Sequence, residues 1–203
     1  MIRLYSVILF SFIIQNYSSL QIDSDIIIDS DYSFTEAVSG KEIPKSILKQ
    51  LSLLEVEYFS FDNKLHRGQI LINKKVIKDI QEIFQFIKSS KFPIGKVIPI
   101  VKYAWSDETS MLDNNTSAFN YRLVDGNKVL SLHAYGLAID INPMQNPFIK
   151  NGKRTPATAK YDEKTASTIT RNSDLVKEFK KRGWMWGGLW RSRRDYQHFE
   201  KNK

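Results

Sequence analysis

Four side chains in this 203-residue chain have the types and spacing for chemistry. His133 and Asp140 stand seven positions apart in S-L-H-A-Y-G-L-A-I-D, and Asp195 and His198 three apart in D-Y-Q-H-F-E near the C-terminus. An imidazole and a carboxylate in an apolar run are costly to bury unless they pair or bind a metal. Cysteine is absent, which excludes disulfides, thiolate zinc sites and thiol nucleophiles together. A metal must then be held by His, Asp or Glu, and a catalytic zinc wants three protein ligands with one position open. With three histidines in the chain, a zinc site of His133, Asp140 and His198 is the first hypothesis. Water on such a metal becomes a nucleophile near neutral pH, but a side chain must still take its proton, and Asp195 is the candidate. Arg122, in F-N-Y-R, is the candidate for polarising a carbonyl or holding a carboxylate, because a guanidinium offers paired, directional donors.

Each of these residues has a plainer reading. A lone histidine in an apolar run is usually a satisfied core residue. Asp195 can serve as a carboxylate that orients His198 from behind, and D-x-x-H by itself is a pattern chance supplies often. Arg122 can be a surface or ion-paired residue. Trp184, Trp186 and Trp190 read as core before they read as a carbohydrate platform.

The elements that must position the four side chains follow from periodicity. On one continuous strand the odd offset would put His133 and Asp140 on opposite faces, so the chain must turn between them, and Tyr135-Gly136 is the place. Asp195 and His198 would likewise face apart, which predicts a turn or bulge at Tyr196-Gln197. Upstream, Pro44 followed by Ile47, Leu48, Leu51 and Leu54 predicts a first helix ending before Tyr58. His66 is expected in a loop before a short strand after Gly68. Asn73 caps a helix whose face carries Val76, Ile77, Ile80, Ile83, Phe84 and Ile87. Residues 97–105 are β-branched and aromatic and predict a strand, with Pro99 at an edge or bulge. Residues 106–120 and 151–170 read as loops, and Ser173 opens a helix over 174–182 stopped by Gly183. Helices and strands in this order indicate an α+β fold, a small antiparallel sheet with helices packed on it. No internal repeat or low-complexity tract is present.

Length is that of about one domain. A hydrophobic fraction of 42% with 26% charged residues is ordinary for a globular protein and excludes a disordered chain. The formal net charge of +8 favours an anionic partner, either nucleic acid or a wall polymer, although the basic residues are spread out apart from Arg191, Arg193 and Arg194. Residues 1–20 read as a signal peptide or N-terminal anchor, with Arg3 before the apolar run 4–14, which is short for a membrane span. Residues 21–40 read as an acidic linker, and 41–203 as the functional domain. Export to the periplasm or the cell exterior follows, which argues against nucleic acid as partner. No transmembrane segment beyond the N-terminal one is expected, and the chain is expected to act as a monomer.

The quoted run is similar to S-x-H-x-x-G-x-A-x-D, the signature of the zinc D-alanyl-D-alanine carboxypeptidase family, which also holds L-alanyl-D-glutamate endopeptidases; all five fixed positions agree. G-W-M-W-G-G-L-W followed by D-Y-Q-H-F-E resembles that family's second signature, a Trp-rich turn and an acid-x-x-His. N-T-S-A-F-N-Y-R over 115–122 resembles its arginine-bearing segment, and H-R-G-Q-I at His66 a further shared block. The resemblance implies zinc bound by His133, Asp140 and His198, Asp195 as general acid/base, and Arg122 as partner of the substrate carbonyl. Ser117, Ser131, Tyr135 and Trp186 are expected as substrate contacts. Many members carry Glu at the position of Asp195. The implied fold is the one shared with hedgehog signalling domains, some of which keep zinc without demonstrated peptidase activity. The expected function is hydrolysis of D-amino-acid-containing bonds in peptidoglycan stem peptides. The alternative is a non-catalytic cell-wall-binding protein with a retained zinc site.

Overall fold

The structure is a computed structural model that describes residues 26–124, 126 and 128–202. The expected signal or anchor, residues 1–20, lies outside them. Among the described residues no helix is long and apolar enough to cross a membrane.

The chain begins with a short strand, β1 (Ile27–Ile28), and a one-turn helix, α1 (Phe34–Ala37), opened by a reciprocal cap in which Ser33 Oγ accepts from Glu36 N and the Glu36 carboxylate from Ser33 N. Pro44 then opens α2 (Lys45–Leu48), and here the first expected helix stops short. Leu51–Phe59 is strand β2, paired antiparallel along its whole length with β3 (Leu65–Asn73). Val56 and Tyr58 point into the core while Glu55 faces solvent, an alternation that a strand buries and a helix would scatter. His66 therefore lies within β3, not in a loop, and β3 starts well before Gly68. β1 adds in parallel to its other edge, Ile27 opposite His66, giving the order β1-β3-β2.

Asn73 Oδ1 accepts from Lys75 N and starts a 3-10 turn that runs into α3 (Ile77–Ser90). Ile80, Ile83, Phe84 and Ile87 bury the predicted face of this helix against β2. The strand expected over 97–105 is reduced to β4 (Lys96–Val97); from Pro99 the chain winds into a 3-10 turn, since proline has no N–H for a ladder and its fixed φ suits a turn start. The polar stretch that follows contains α4 (Asp107–Leu112), capped by Ser106 Oγ, and β5 (Asn115–Thr116), which lies parallel to β4.

The C-terminal half supplies β6 (Ala138–Asp140), a hairpin of β7 (Phe148–Lys150) and β8 (Lys153–Thr155), α5 (Asp174–Lys181), β9 (Met185–Trp186), β10 (Arg194–Asp195) and β11 (His198–Glu200). α5 ends where the sequence predicts, with Gly183 at φ 79°. β11 is the centre of a sheet ordered β6-β11-β9, and β10 joins the hairpin as β10-β7-β8. Phe199 on β11 stacks on Phe179 of α5 at 3.8 Å, and Trp186 of β9 lies against Phe199, so this sheet is held against α5 by aromatic packing. The expected mixture of helices and strands is present, but the single antiparallel sheet is replaced by small sheets, two of which contain a parallel pair. Short segments broken by proline and asparagine cannot propagate one ladder, and so they pair locally.

Candidate metal centre

His133 sits on a 3-10 turn, Leu132–Tyr135, started by Ser131, whose hydroxyl accepts from His133 N at 3.3 Å. Gly136 ends the turn at φ 64°, a conformation costly for residues with a Cβ. The reversal is fastened to the end of β3: Asn73 N donates to Gly136 O at 2.9 Å and Asn73 Nδ2 to Tyr135 O at 2.9 Å. The chain leaves as β6, which places Asp140 directly opposite His198 of β11. The predicted turn at Tyr135-Gly136 is thus what lets the two residues meet, and neighbouring strands bring in the third.

The three side chains converge. His133 Nε2 lies 3.2 Å from His198 Nδ1, His198 Nδ1 2.9 Å from Asp140 Oδ1, and His133 Nε2 3.3 Å from Asp140 Oδ2. Each outward-facing nitrogen is held by a group that can only accept. His133 Nδ1 donates to Ala118 O at 2.6 Å, and His198 Nε2 to Glu200 Oε2 at 3.0 Å. A carbonyl and a carboxylate thus keep protons on the outer nitrogens and direct His133 Nε2 and His198 Nδ1 inward, the arrangement that orients metal-binding histidines. Ligand atoms on a tetrahedral ion with bonds of about 2.0–2.1 Å are about 3.3 Å apart, close to the separations found here. The residues fit a divalent ion such as zinc.

Electrostatics favour positive charge at this point. Burial opposes a charge on His198, but its bonds to Asp140 and Glu200 outweigh that and push its pKa up to about 10. Burial also opposes a charge on Asp140, yet the two histidines hold its carboxyl well below the usual carboxylate range. A cation held by the three would take the place of the Nδ1 proton of His198.

Asp195, on β10, lies close by. Gly187 makes room for it: a Cβ there would stand 2.9 Å from Asp195 Cβ and 3.3 Å from His198 Cβ. Between Asp195 and His198 the chain passes from one sheet to another through Tyr196 and Gln197, which is the predicted break. Burial, with the charge of Asp140 adding and that of His198 opposing, pushes Asp195 up to about 6, and its Oδ1 has no hydrogen-bond partner among the described residues.

The remaining expected residues divide. Ser117 pairs with Asp140 through both backbone bonds, Ser117 N to Asp140 O at 3.0 Å and Asp140 N to Ser117 O at 2.8 Å, so it borders the cluster. Arg122 does not reach it. Its Nε forms an ion pair with Asp107 Oδ2, and Nη1 donates to Leu123 O at 3.3 Å. The hydroxyl of Ser131 caps the turn, Tyr135 packs between the two apolar cores, and Trp186 is buried with its indole N–H donating to Tyr196 O at 2.9 Å. His66 belongs elsewhere, bonded through Nδ1 to Asp29 and through Nε2 to Asp62, where it ties β1 to β3. Sequence reasoning missed Glu200, Asp107 and Trp190, whose ring lies 5.3 Å from that of His198. A signal for Glu200 existed, because a residue two places after His198 shares its face of a strand.

Residues 125–201 match the family model described as D-alanyl-D-alanine carboxypeptidase, a span that includes His133, Asp140, Asp195, His198 and Glu200 and stops short of Arg122. No curated protein and no solved structure matches the chain significantly.

Proposed function

We propose, from the match of residues 125–201 to the D-alanyl-D-alanine carboxypeptidase family model, that the chain is an exported zinc peptidase acting on peptidoglycan stem peptides. The observation that carries the reading is the convergence of two imidazole nitrogens and a carboxylate whose outer hydrogen bonds leave the inner lone pairs for a metal. His133, Asp140 and His198 would hold zinc, which supplies Lewis acidity, activating water near neutral pH and polarising a carbonyl. Ala118 O and Glu200 keep both rings in the metal-binding tautomer.

Asp195 is the proposed proton carrier. Burial raises its pKa above the ordinary carboxylate range in the metal-free site, which favours proton uptake, so it can take a proton from the attacking water and give one to the leaving amine. Its unpartnered Oδ1 supports that role, since a purely structural carboxylate would be hydrogen-bonded. Arg122 is the proposed partner of the substrate carbonyl, with Asp107 restricting its rotamers. Among the proposed substrate contacts Ser117 has the strongest support, being paired to Asp140; the polar groups of Ser131 and Trp186 are engaged within the protein. A hedgehog-like arrangement of the domain belongs to the same reading.

Mass spectrometry of muropeptides digested with the zinc-loaded protein tests it. Loss of a terminal alanine indicates carboxypeptidase action and cleavage within the stem indicates endopeptidase action, and His133→Ala should abolish either. Wall binding without any released fragment would overturn the peptidase reading and leave a binding protein.

A further inference from the structure

We propose that the β7–β8 hairpin and the strand beside it, β10, form a docking surface for a linear phosphodiester polymer of the wall, beside the candidate metal centre but outside it. That the polymer is one of the wall rests on the exported-peptidase reading. Lys and Arg are spread along the chain, but the acids are not: residues 141–194 hold 13 of the 30 Lys and Arg and 4 of the 22 Asp and Glu, a net of +9 in a chain whose total is +8. Two of those four acids, Asp174 and Glu178, are ion-paired with Lys177 and Arg182 of the same segment. Between Asp140 and Asp162 there is no acid at all, and that stretch forms the hairpin with Lys150, Lys153 and Arg154.

The pairing register sets these cations against one another. Lys150 lies directly opposite Lys153, and Arg194, Ile149 and Arg154 form one row across the three strands. Asn151 and Gly152 close the hairpin in left-handed conformations, φ 51° and 73°, which holds the two lysines face to face at its end. Like charges directly opposite on a sheet destabilise it, and among the described residues neither lysine has an ion-pair partner. A charged edge guards a sheet against pairing with another chain, which accounts for Lys153 and Arg154 on β8 but not for Lys150 on the central strand. A bound polyanion relieves the repulsion. Lys150, Lys153 and Arg154 are exposed, so a flexible chain running along the free edge of β8 meets Arg154 on one face and the two lysines on the other. Arg154 and Arg194 each give one N–H to a backbone carbonyl, of Ala159 and Arg193, and keep the rest of a fork that matches phosphate oxygens. Ile149 stands between the two arginines and no aromatic ring belongs to their row, so bases have no stacking platform, and a polyol phosphate suits the surface better than a nucleic acid. The edge of β8 is two strands from Asp195 on β10, about 10 Å, so a polymer held there lies near the cluster without filling it.

Calorimetric titration of the full-length protein with poly(glycerol phosphate) tests the surface. With four cations engaged, the association constant should fall about fiftyfold between 50 and 200 mM salt, and in K150Q/K153Q only about sevenfold, from a weaker starting value. K45Q/K49Q, which removes the same charge at α2, should keep the full salt dependence. Equal losses in the two variants would reveal an effect of net charge alone and overturn the surface, as would no binding at 50 mM salt. Hyaluronate, a carboxylate polymer, and a single-stranded oligonucleotide should each bind more weakly at equal charge concentration, and equal binding of either overturns the choice of partner. K150Q/K153Q should unfold at a denaturant concentration no lower than the wild type, because a repulsion is removed; a lower midpoint would overturn the argument from register. Zinc-loaded protein acting on a small soluble stem peptide and on intact wall material separates the surface from the peptidase reading. K150Q/K153Q should keep the first activity and lose much of the second. Polymer binding with no cleavage of either substrate keeps the surface and defeats the peptidase, and cleavage with no polymer binding does the reverse.

Discussion

Replacing Gly136 by alanine tests whether the turn between His133 and Asp140 builds the metal site. At φ 64° a residue with a Cβ pays about 1–2 kcal/mol for the left-handed conformation alone. The added carbon would also stand 2.7 Å from Asn73 N, 2.9 Å from Leu51 Cδ2 and 3.0 Å from the Ile72 carbonyl carbon. Two of those atoms are backbone of β3, which is paired on its β2 side along its full length and cannot give way cheaply. Overpacking of this kind costs about 1–3 kcal/mol, so Gly136→Ala should destabilise the protein by about 2–5 kcal/mol in all. Gly126→Ala is the internal control. Its φ is 69°, but among the described residues nothing lies within 4 Å of the added carbon, so only the conformational cost of about 1–2 kcal/mol applies. Denaturant midpoints of the two metal-free variants at equal m-value give the comparison. Relief of the clash moves the 3-10 turn away from β3 and His133 with it, so zinc affinity measured against a chromophoric chelator should fall at least about tenfold in Gly136→Ala only. Equal destabilisation of the two variants would refute the packing argument. Unchanged zinc affinity in a destabilised Gly136→Ala would refute the link between turn and site.

Glu200→Gln should weaken zinc binding by about 10–100-fold, because an amide is a poorer and reversible acceptor for His198 Nε2; equal affinity would mean Glu200 does not orient the ring. Zinc must displace the His198 Nδ1 proton, so binding should release protons in calorimetry with buffers of different ionisation enthalpy, and affinity should rise with pH. In the metal-free protein, His198 is raised from its ordinary 6.5 to about 10, so its contribution to stability is complete below pH 6.5 and lost as pH rises through about 10. Asp195 has the opposite consequence for a carboxylate: raised from 3.8 to about 6, it binds its proton more tightly folded than unfolded, and its charging lowers stability between those pH values. Asp195→Asn should remove that step from the denaturation-versus-pH curve while lowering kcat by about a hundred- to ten-thousand-fold. A variant that keeps the step would show that Asp195 is not the group titrating there, and one that keeps its activity would show that it is not the proton carrier.

The sequence by itself determined the chemistry of the cluster. Without cysteine, and with three histidines, the donors open to a metal were few, and the odd spacing of His133 and Asp140 demanded a turn at the glycine between them. Helices α3 and α5 were equally legible, because amphipathic periodicity is a local property carried by consecutive residues. Strand β2 was not: Ile47, Leu48, Leu51 and Leu54 fit a helical stripe, and only the ladder with β3 decided otherwise. The same holds for His66, which β3 carries into the fold and Asp29 and Asp62 then hold.

What only the tertiary structure decided is how each side chain is spent. Trp186 fills a core because Tyr196 O, on the connection between β10 and β11, takes its indole N–H, whereas Ser131 spends its hydroxyl locally, on His133 N two residues on. Arg122 is claimed by Asp107, fifteen positions earlier on a helix that the polar stretch did not announce. Glu200 meets Trp190 and Arg193 in one pocket because β11 carries it there. Residue types limit which reactions are open, and they are written in the chain. Contacts across long sequence separations assign the roles, and those depend on pairing energies that no local pattern contains.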